Sequence, residues 1–132
     1  MLDGMQSNNI ESWPAAGQIR FSMAVLIEAD GTCKQASNKE ADGVAVLSQV
    51  MCGQDASSGL YNPKQIVAVL RSGRIWGAVT GPVAIGDVLG VDASGRFSKA
   101  AAAANAPDRL TIVARSANAS GNGQVIIEVT PK

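Results

Sequence analysis

The sequence predicts an all-β fold, a small β-barrel or β-sandwich of about eight short strands with an extended N-terminal arm. Two observations predict it. Short runs of β-branched and apolar residues alternate with clusters of Gly, Asp, Asn and Ser along most of the chain. No run of apolar residues with a helical period lasts longer than about two turns. The 132 residues are enough for one domain with its own core.

Residues 1–17 are predicted to form the arm and residues 18–132 the β-domain. The first segment, MLDGMQSNNIESWPAAG, is rich in polar residues, Gly and Pro, and fits neither a helical nor a strand period. Such a segment either docks on a neighbouring molecule or is a frayed terminus. Trp13 favours docking, because a lone Trp in a disordered tail would expose a large apolar group. Met5, Ile10 and Trp13 are therefore candidate partner-binding residues.

The first half of the domain begins with a predicted hairpin. A β-rich run over residues 19–28 leads into Asp30-Gly31, and a short strand follows over residues 32–35. Asp-Gly between apolar runs is a strong hairpin signal, because glycine tolerates the positive φ that the turn requires. Another strand follows in DGVAVLSQVMC, and DASSGLYNP is a loop by composition.

The second half is predicted to contain six further strands. KQIVAVLRSGRIWGAV is interpreted as two strands about a turn at Arg71-Ser72-Gly73. VLGVDASGRFSKA is interpreted as a second hairpin, and RLTIVARSA and QVIIEVT as the last strands. By alternation, Trp76 shares a face with Arg74 and Ala78. Trp76 either fills the core or contacts a partner, and is the fourth candidate partner-binding residue.

The residues offer little for catalysis. The chain has no histidine to act as a general base, and the aspartates considered for paired-carboxylate chemistry fit turn positions, namely Asp30, Asp42, Asp87 and Asp92. Two cysteines without a CxxC spacing do not make a zinc site, and no phosphate-binding glycine motif precedes a helix. A lipoyl- or biotinyl-carrier domain would need a modifiable lysine on a hairpin with acidic or Met neighbours, which Lys34 and Lys99 lack. We expect a protein that is not an enzyme and has no cofactor or metal.

Charge and composition bear on partners. The net charge is zero, so we expect no nucleic-acid partner. Residues 1–66 carry a net −3 and residues 67–132 a net +3, which either serves head-to-tail subunit contact or has no role. Only 17% of residues are charged, against about 25% in typical soluble domains, which indicates a protein–protein surface or an Ala-rich composition.

The sequence contains few signals that indicate a membrane or a cellular compartment. No apolar run approaches the ~20 residues that cross a bilayer, and the N-terminus lacks the features of a signal peptide. We therefore expect no membrane partner, and synthesis in a cytoplasm. Cys33 and Cys52 either pair or stay free, and we expect free, buried thiols.

An ordered series of β-motifs resembles the capsid cement, or head-decoration, proteins of tailed bacteriophages. It runs from IRFSMAVLIEADGTCKQAS through ADGVAVLS and VAVLRSGRIWGAVTGPVAIGDVLGVDASGRFSKA to IVARSANASGNGQVIIEV, over about residues 18–130. Ten residues follow the family order: Gly73, Ile75, Trp76, Val79, Gly86, Asp87, Val91, Asp92, Gly95 and Phe97. The Ala-rich linker AAAANAPDRL and the N-terminal arm have no counterpart in that pattern.

The resemblance implies a virion protein that binds the outside of the assembled capsid between major capsid subunits and stabilises the shell. It also implies a homo-oligomer, commonly a trimer, that is made in the host cytoplasm and resides on the capsid surface. The alternative is a small non-enzymatic β-domain that binds another partner, such as a tail, a fibre or a cell-surface glycan.

Overall fold

The computed structural model describes residues 9–46, 60–100 and 106–132. These residues form β-strands and no helix, which confirms the predicted all-β class; the sheets are open and sandwich-like, and no barrel closes. The strands are β1 (Asn9–Pro14), β2 (Ile19–Arg20), β3 (Ala24–Ile27), β4 (Cys33–Gln35), β5 (Gly43–Val46), β6 (Leu60–Tyr61), β7 (Ile66–Thr80), β8 (Leu89–Val91), β9 (Phe97–Lys99), β10 (Leu110–Ala114) and β11 (Asn122–Pro131).

The long strand β7 organises the fold. Its first half pairs antiparallel with β1 and with β5, and its second half pairs antiparallel with β11. The predicted turn at Arg71-Ser72-Gly73 is wrong, because the chain runs through this segment as one strand. Gly73 has a φ of 127°, a conformation that glycine adopts without strain, and the pairing changes from β1 to β11 at this residue. The polar triplet therefore marks a change of partner strands and no chain reversal.

β1 lies inside the segment where no strand period was found. It pairs in register with β7, with Trp13 opposite Val67 and Glu11 opposite Val69. Glu11 and Trp13 are its two partly buried positions, and the strand residues between and beside them are exposed. Because the charged Glu11 occupies an inward position, β1 lacks the alternation of apolar and polar residues that predicts a strand. Whether residues 1–17 act as an arm stays a prediction.

Both predicted hairpins form, and they share one turn geometry. In β3–β4 the Gly31 N–H donates to the Glu28 carbonyl at 3.1 Å, and in β8–β9 the Gly95 N–H donates to the Asp92 carbonyl at 3.1 Å. Both glycines have a φ of 87°, which matches a type I turn closed by a glycine in the left-handed region. The first tip is exposed, whereas the second packs on the first hairpin through a Gln35 side-chain hydrogen bond to the Ser94 carbonyl at 2.7 Å.

The run over residues 19–28 is interrupted, which corrects the single strand expected there. Ser22 has a φ of 68°, so a tight turn separates β2 from β3. The turn is held on both sides. The Ser22 N–H donates to the Ala45 carbonyl at 2.7 Å, and the Ser22 carbonyl accepts the Ala78 N–H at 2.9 Å. These bonds fix Phe21 at the junction of β5 and β7.

The core has two clusters. The larger one packs the inward residues of β7, β10 and β11 against Phe97 and Leu89, and the smaller one surrounds Tyr61, whose hydroxyl donates to the Val46 carbonyl. Gly43 lies where β5 approaches β7 closely, because a Cβ there would stand 2.5 Å from Val69 Cγ1 and 2.6 Å from the Leu70 carbonyl oxygen. The backbone of β5 can therefore approach β7 only with glycine at this position.

Candidate functional site

Trp76 lies on the outer face of the β7–β11 sheet. Its side chain is 52% exposed and belongs to neither core cluster of the described residues. It stands opposite Ile126 of β11 in the antiparallel register, so the two side chains share this face. Large apolar side chains that stand together on an exposed surface mark interaction surfaces more often than scattered apolar residues do. Trp76, Ile126 and the neighbouring charged row are called the outer face below.

The charged row lies beside this apolar pair. Glu128 Oε1 accepts hydrogen bonds from Arg74 Nε at 3.1 Å and from Arg115 Nε at 3.0 Å. The hydrogen bond from Arg115, with the positive charges of both guanidinium groups, holds the pKa of the Glu128 carboxyl below its ordinary value. One carboxylate between two arginines leaves the row with a net positive charge. Arginine and tryptophan beside each other are typical of protein-binding surfaces.

A groove follows the edge of the outer face and consists of two adjoining cavities that share two lining residues. A cavity of about 500 Å³ is lined by Trp76, Phe21, Ser22, Val46, Ile75 and Gln124. A second cavity of about 420 Å³ shares Phe21 and Gln124 and adds Arg20, Met23, Ala78, Arg96, Asn122 and Gly123. The groove thus has an aromatic end at Trp76 and a basic end at Arg20 and Arg96. The Phe21 ring is supported from below by an edge-to-face contact with Tyr61, with 5.0 Å between the centroids.

The candidate residues of the arm have different surroundings. Trp13 is partly buried against the smaller core cluster, and its Nε1–H donates to Glu11 Oε1 at 3.0 Å. The same carboxylate oxygen pairs with Arg71 at 2.9 Å. Ile10 is 50% exposed on β1. Met5 lies outside the described residues. The structure therefore brings Trp13 into the body of the domain, on β1, and leaves Trp76 on the outer face.

The residues considered for chemistry have structural roles. Asp87 Oδ2 accepts the Ala84 N–H at 2.9 Å, and Asp92 Oδ1 accepts the Ser94 N–H at 2.9 Å. Both carboxylates shape turns, as the sequence predicted. Among the described residues, no group of three or more Cys, Asp or Glu side chains could hold a metal ion. These residues also contain no helix of the length and hydropathy needed to span a bilayer.

Cys33 is a free, fully buried thiol, as expected. Burial raises its pKa to about 11, so the thiolate is scarce near neutral pH and the group is unreactive. Its Sγ lies 3.7 Å from the Trp13 carbonyl oxygen, inside the smaller core cluster. Cys52 lies outside the described residues.

Comparison with known families decides the class of this protein. The family described as structural cement protein (E217 gp24/Pam3 gp6) matches residues 1–130. The chain belongs to the phage cement protein family. As a cement protein it has a structural, capsid-stabilising role and its place is the phage capsid. No curated protein matches the chain.

Sequence reasoning missed the basic end of the groove. Arg20 and Arg96 each begin an Arg-Phe-Ser tripeptide, at residues 20–22 and 96–98. The repeated tripeptide is visible in the sequence, but only the fold shows that the two arginines line the same cavity. The Ala24 N–H donates to the Gly95 carbonyl at 3.0 Å, which brings the second hairpin turn against the start of β3.

Proposed function

We propose that this cement protein binds the outside of the assembled capsid, where major capsid subunits meet, as a homo-oligomer that we expect to be a trimer. The exposed outer face carries the proposal, because Trp76 and Ile126 supply apolar area and the Arg74–Glu128–Arg115 row supplies polar contacts beside it. A buried aromatic anchor within a polar rim is the usual energetic design of a protein interface.

Stabilisation follows from binding the shell and not its free subunits. A protein that binds only the assembled state shifts the assembly equilibrium toward that state by mass action. Each copy needs only a modest interface, because many copies act on the same particle. The tight glycine turns and the ordered β-sheets present the outer face without a large ordering cost on binding.

The remaining partner classes follow from the charge and the residue inventory. The neutral net charge offers no long-range attraction to a polyanion, so we propose no nucleic-acid partner and, likewise, no membrane partner. The protein acts without catalysis or a cofactor, after synthesis in the host cytoplasm. The virion surface is its working location.

We propose a second contact through the N-terminal segment, with Met5 and Ile10 reaching a neighbouring subunit. Deletion of residues 1–8 tests this proposal, because it removes Met5 and leaves β1 in place. The expected result is lower occupancy on shells and lower heat resistance of the particle. Wild-type occupancy and heat resistance would show that residues 1–8, Met5 among them, make no such contact. A longer deletion into β1 would test folding instead.

Co-sedimentation with empty shells tests the main proposal. The purified protein is mixed with mature shells and, separately, with immature shells of the same phage. We expect it to pellet with the mature shells at a saturating copy number and to remain in the supernatant with the immature ones. Equal binding to both, or to neither, would contradict a role in cementing the mature shell.

A further inference from the structure

The two arginines of the groove differ from every other arginine in the chain. Four arginines form ion pairs with carboxylates of the described residues, at N–O distances of 2.6 to 3.0 Å. They are Arg71, Arg74, Arg109 and Arg115. Arg20 and Arg96 form none, and both line the same cavity. The only partner of the Arg96 guanidinium in the described residues is the Val79 carbonyl, at 3.3 Å.

The cavity around these two arginines contains no acidic side chain among its lining residues. Two unpaired guanidinium groups in one concave site favour an anionic ligand, since guanidinium forks bind carboxylates through paired hydrogen bonds. The site therefore has a charge that its own described chain does not neutralise.

The basic cavity adjoins the aromatic one, because Phe21 and Gln124 line both, and Trp76 lines the second. Ser22, which lines the aromatic cavity, has a φ of 68°, and its backbone is held at both polar atoms by Ala45 and Ala78. A non-glycine residue held in this region is a strained feature of the kind that clusters at binding sites. The groove is thus extended, basic at one end and aromatic at the other.

The described residues of a second copy of the chain offer few free carboxylates to fill this groove. Of the nine Asp and Glu residues that the structure describes, eight are engaged by a cation or by a turn of their own chain. The exception is Glu40, whose side chain has no such partner within these ranges. A carboxylate that pairs with the two arginines is therefore better supplied by another protein.

We propose that the groove binds an extended segment of the major capsid protein, with a carboxylate side chain between Arg20 and Arg96 and an apolar side chain against Phe21 and Trp76. This inference rests on the proposed function and names the surface through which it operates. It assigns two cationic anchors to the capsid contact, in addition to the apolar contact of the outer face.

Charge reversal at the two arginines tests the proposal on intact mature shells. The double variant Arg20→Glu/Arg96→Glu is compared with the control Lys99→Glu/Lys132→Glu, which makes the same charge change at exposed lysines that lie outside the groove and form no ion pair within the described residues. We expect the arginine variant to bind at least tenfold more weakly, and the control to bind within about twofold of wild type. Binding of wild-type protein, but not of the arginine variant, should also weaken as salt is raised.

The conservative variant Arg20→Lys/Arg96→Lys guards against misfolding as the cause. It keeps both charges and removes the paired hydrogen-bond geometry, so binding should fall between wild type and the Glu variant. Wild-type affinity of the Glu variant would overturn the groove proposal while the proposed function stands. A change in the oligomeric state of the free Glu variant would overturn it in favour of a subunit interface. Failure of wild-type protein to bind shells would instead overturn the proposed function, and this inference with it.

Discussion

The two halves of β7 give the two tryptophans of this chain opposite roles. In the first half, β1 and β5 pair with both edges of the strand, and Trp13 packs on the smaller core cluster with its Nε1–H bonded to Glu11. In the second half, Trp76 faces outward beside Ile126, with half of its surface accessible. The same residue type is thus part of the domain body at one end of β7 and part of its free surface at the other.

The difference shows how to separate stability from binding in this fold. Substitutions of buried or partly buried residues along the first half should destabilise the protein and affect shell binding only through the folded fraction. Substitutions on the outward side of the second half should leave the free energy of unfolding almost unchanged and weaken shell binding directly.

Gly43→Ala should have the largest effect, because the new Cβ would overlap Val69 and the Leu70 carbonyl oxygen of the first half of β7. Overpacking against backbone should lower the free energy of unfolding by about 3 kcal/mol or more. Urea denaturation followed by circular dichroism measures the loss. The matched control is Gly17→Ala, where a Cβ meets nothing within 4 Å. Equal stability of the two variants would contradict the close approach of β5 to β7.

Trp13→Ala should destabilise the domain by about 2 kcal/mol, less than for a fully buried Trp because this side chain is only partly buried. Trp13→Phe keeps the apolar contact and removes the hydrogen bond to Glu11, so it should cost less. Thermal unfolding of both variants checks the order. A Trp13→Ala variant as stable as wild type would show that Trp13 projects as a free anchor.

Trp76→Ala should change the free energy of unfolding by no more than about 0.5 kcal/mol. It should weaken binding to mature shells at least tenfold, which corresponds to about 1.4 kcal/mol. Ile66→Ala is the matched control, since Ile66 is 59% exposed on the first half of the same strand. If both variants lost shell binding, or if neither did, the two halves of β7 would not differ in their role in binding.

Acid should slightly lower the stability that the Glu128 ion cluster of the outer face contributes. The folded-state pKa of Glu128 is depressed, so the stability it contributes is present above its ordinary value of 4.5 and is lost as the pH falls through the lowered value. The contribution should be at most about 1 kcal/mol, because the cluster is partly exposed and screened by salt. The difference in unfolding free energy between wild type and Glu128→Gln, measured from pH 7 to pH 3, should shrink below pH 4.5. A difference that stays constant would argue against the ion cluster.

The hairpins could be predicted from the sequence because their turns are specified locally by Gly31 and Gly95, which take the positive φ that each turn needs. The continuity of β7 could not, since Arg71-Ser72-Gly73 has turn composition and only the pairing with β1 and β11 makes it strand. The exposure of Trp76 also depends on which face of the sheet the core covers. The site at Arg20 and Arg96 depends on contacts between distant segments, which local patterns do not encode.

The most direct test of the account is a reconstruction of the mature shell saturated with this protein, at a resolution that shows side chains. We predict that Trp76 and Ile126 of the outer face are buried against the major capsid protein, while Trp13 keeps its hydrogen bond to Glu11 within the same subunit. A reconstruction in which the β1 side faces the capsid and Trp76 remains in solvent would contradict it.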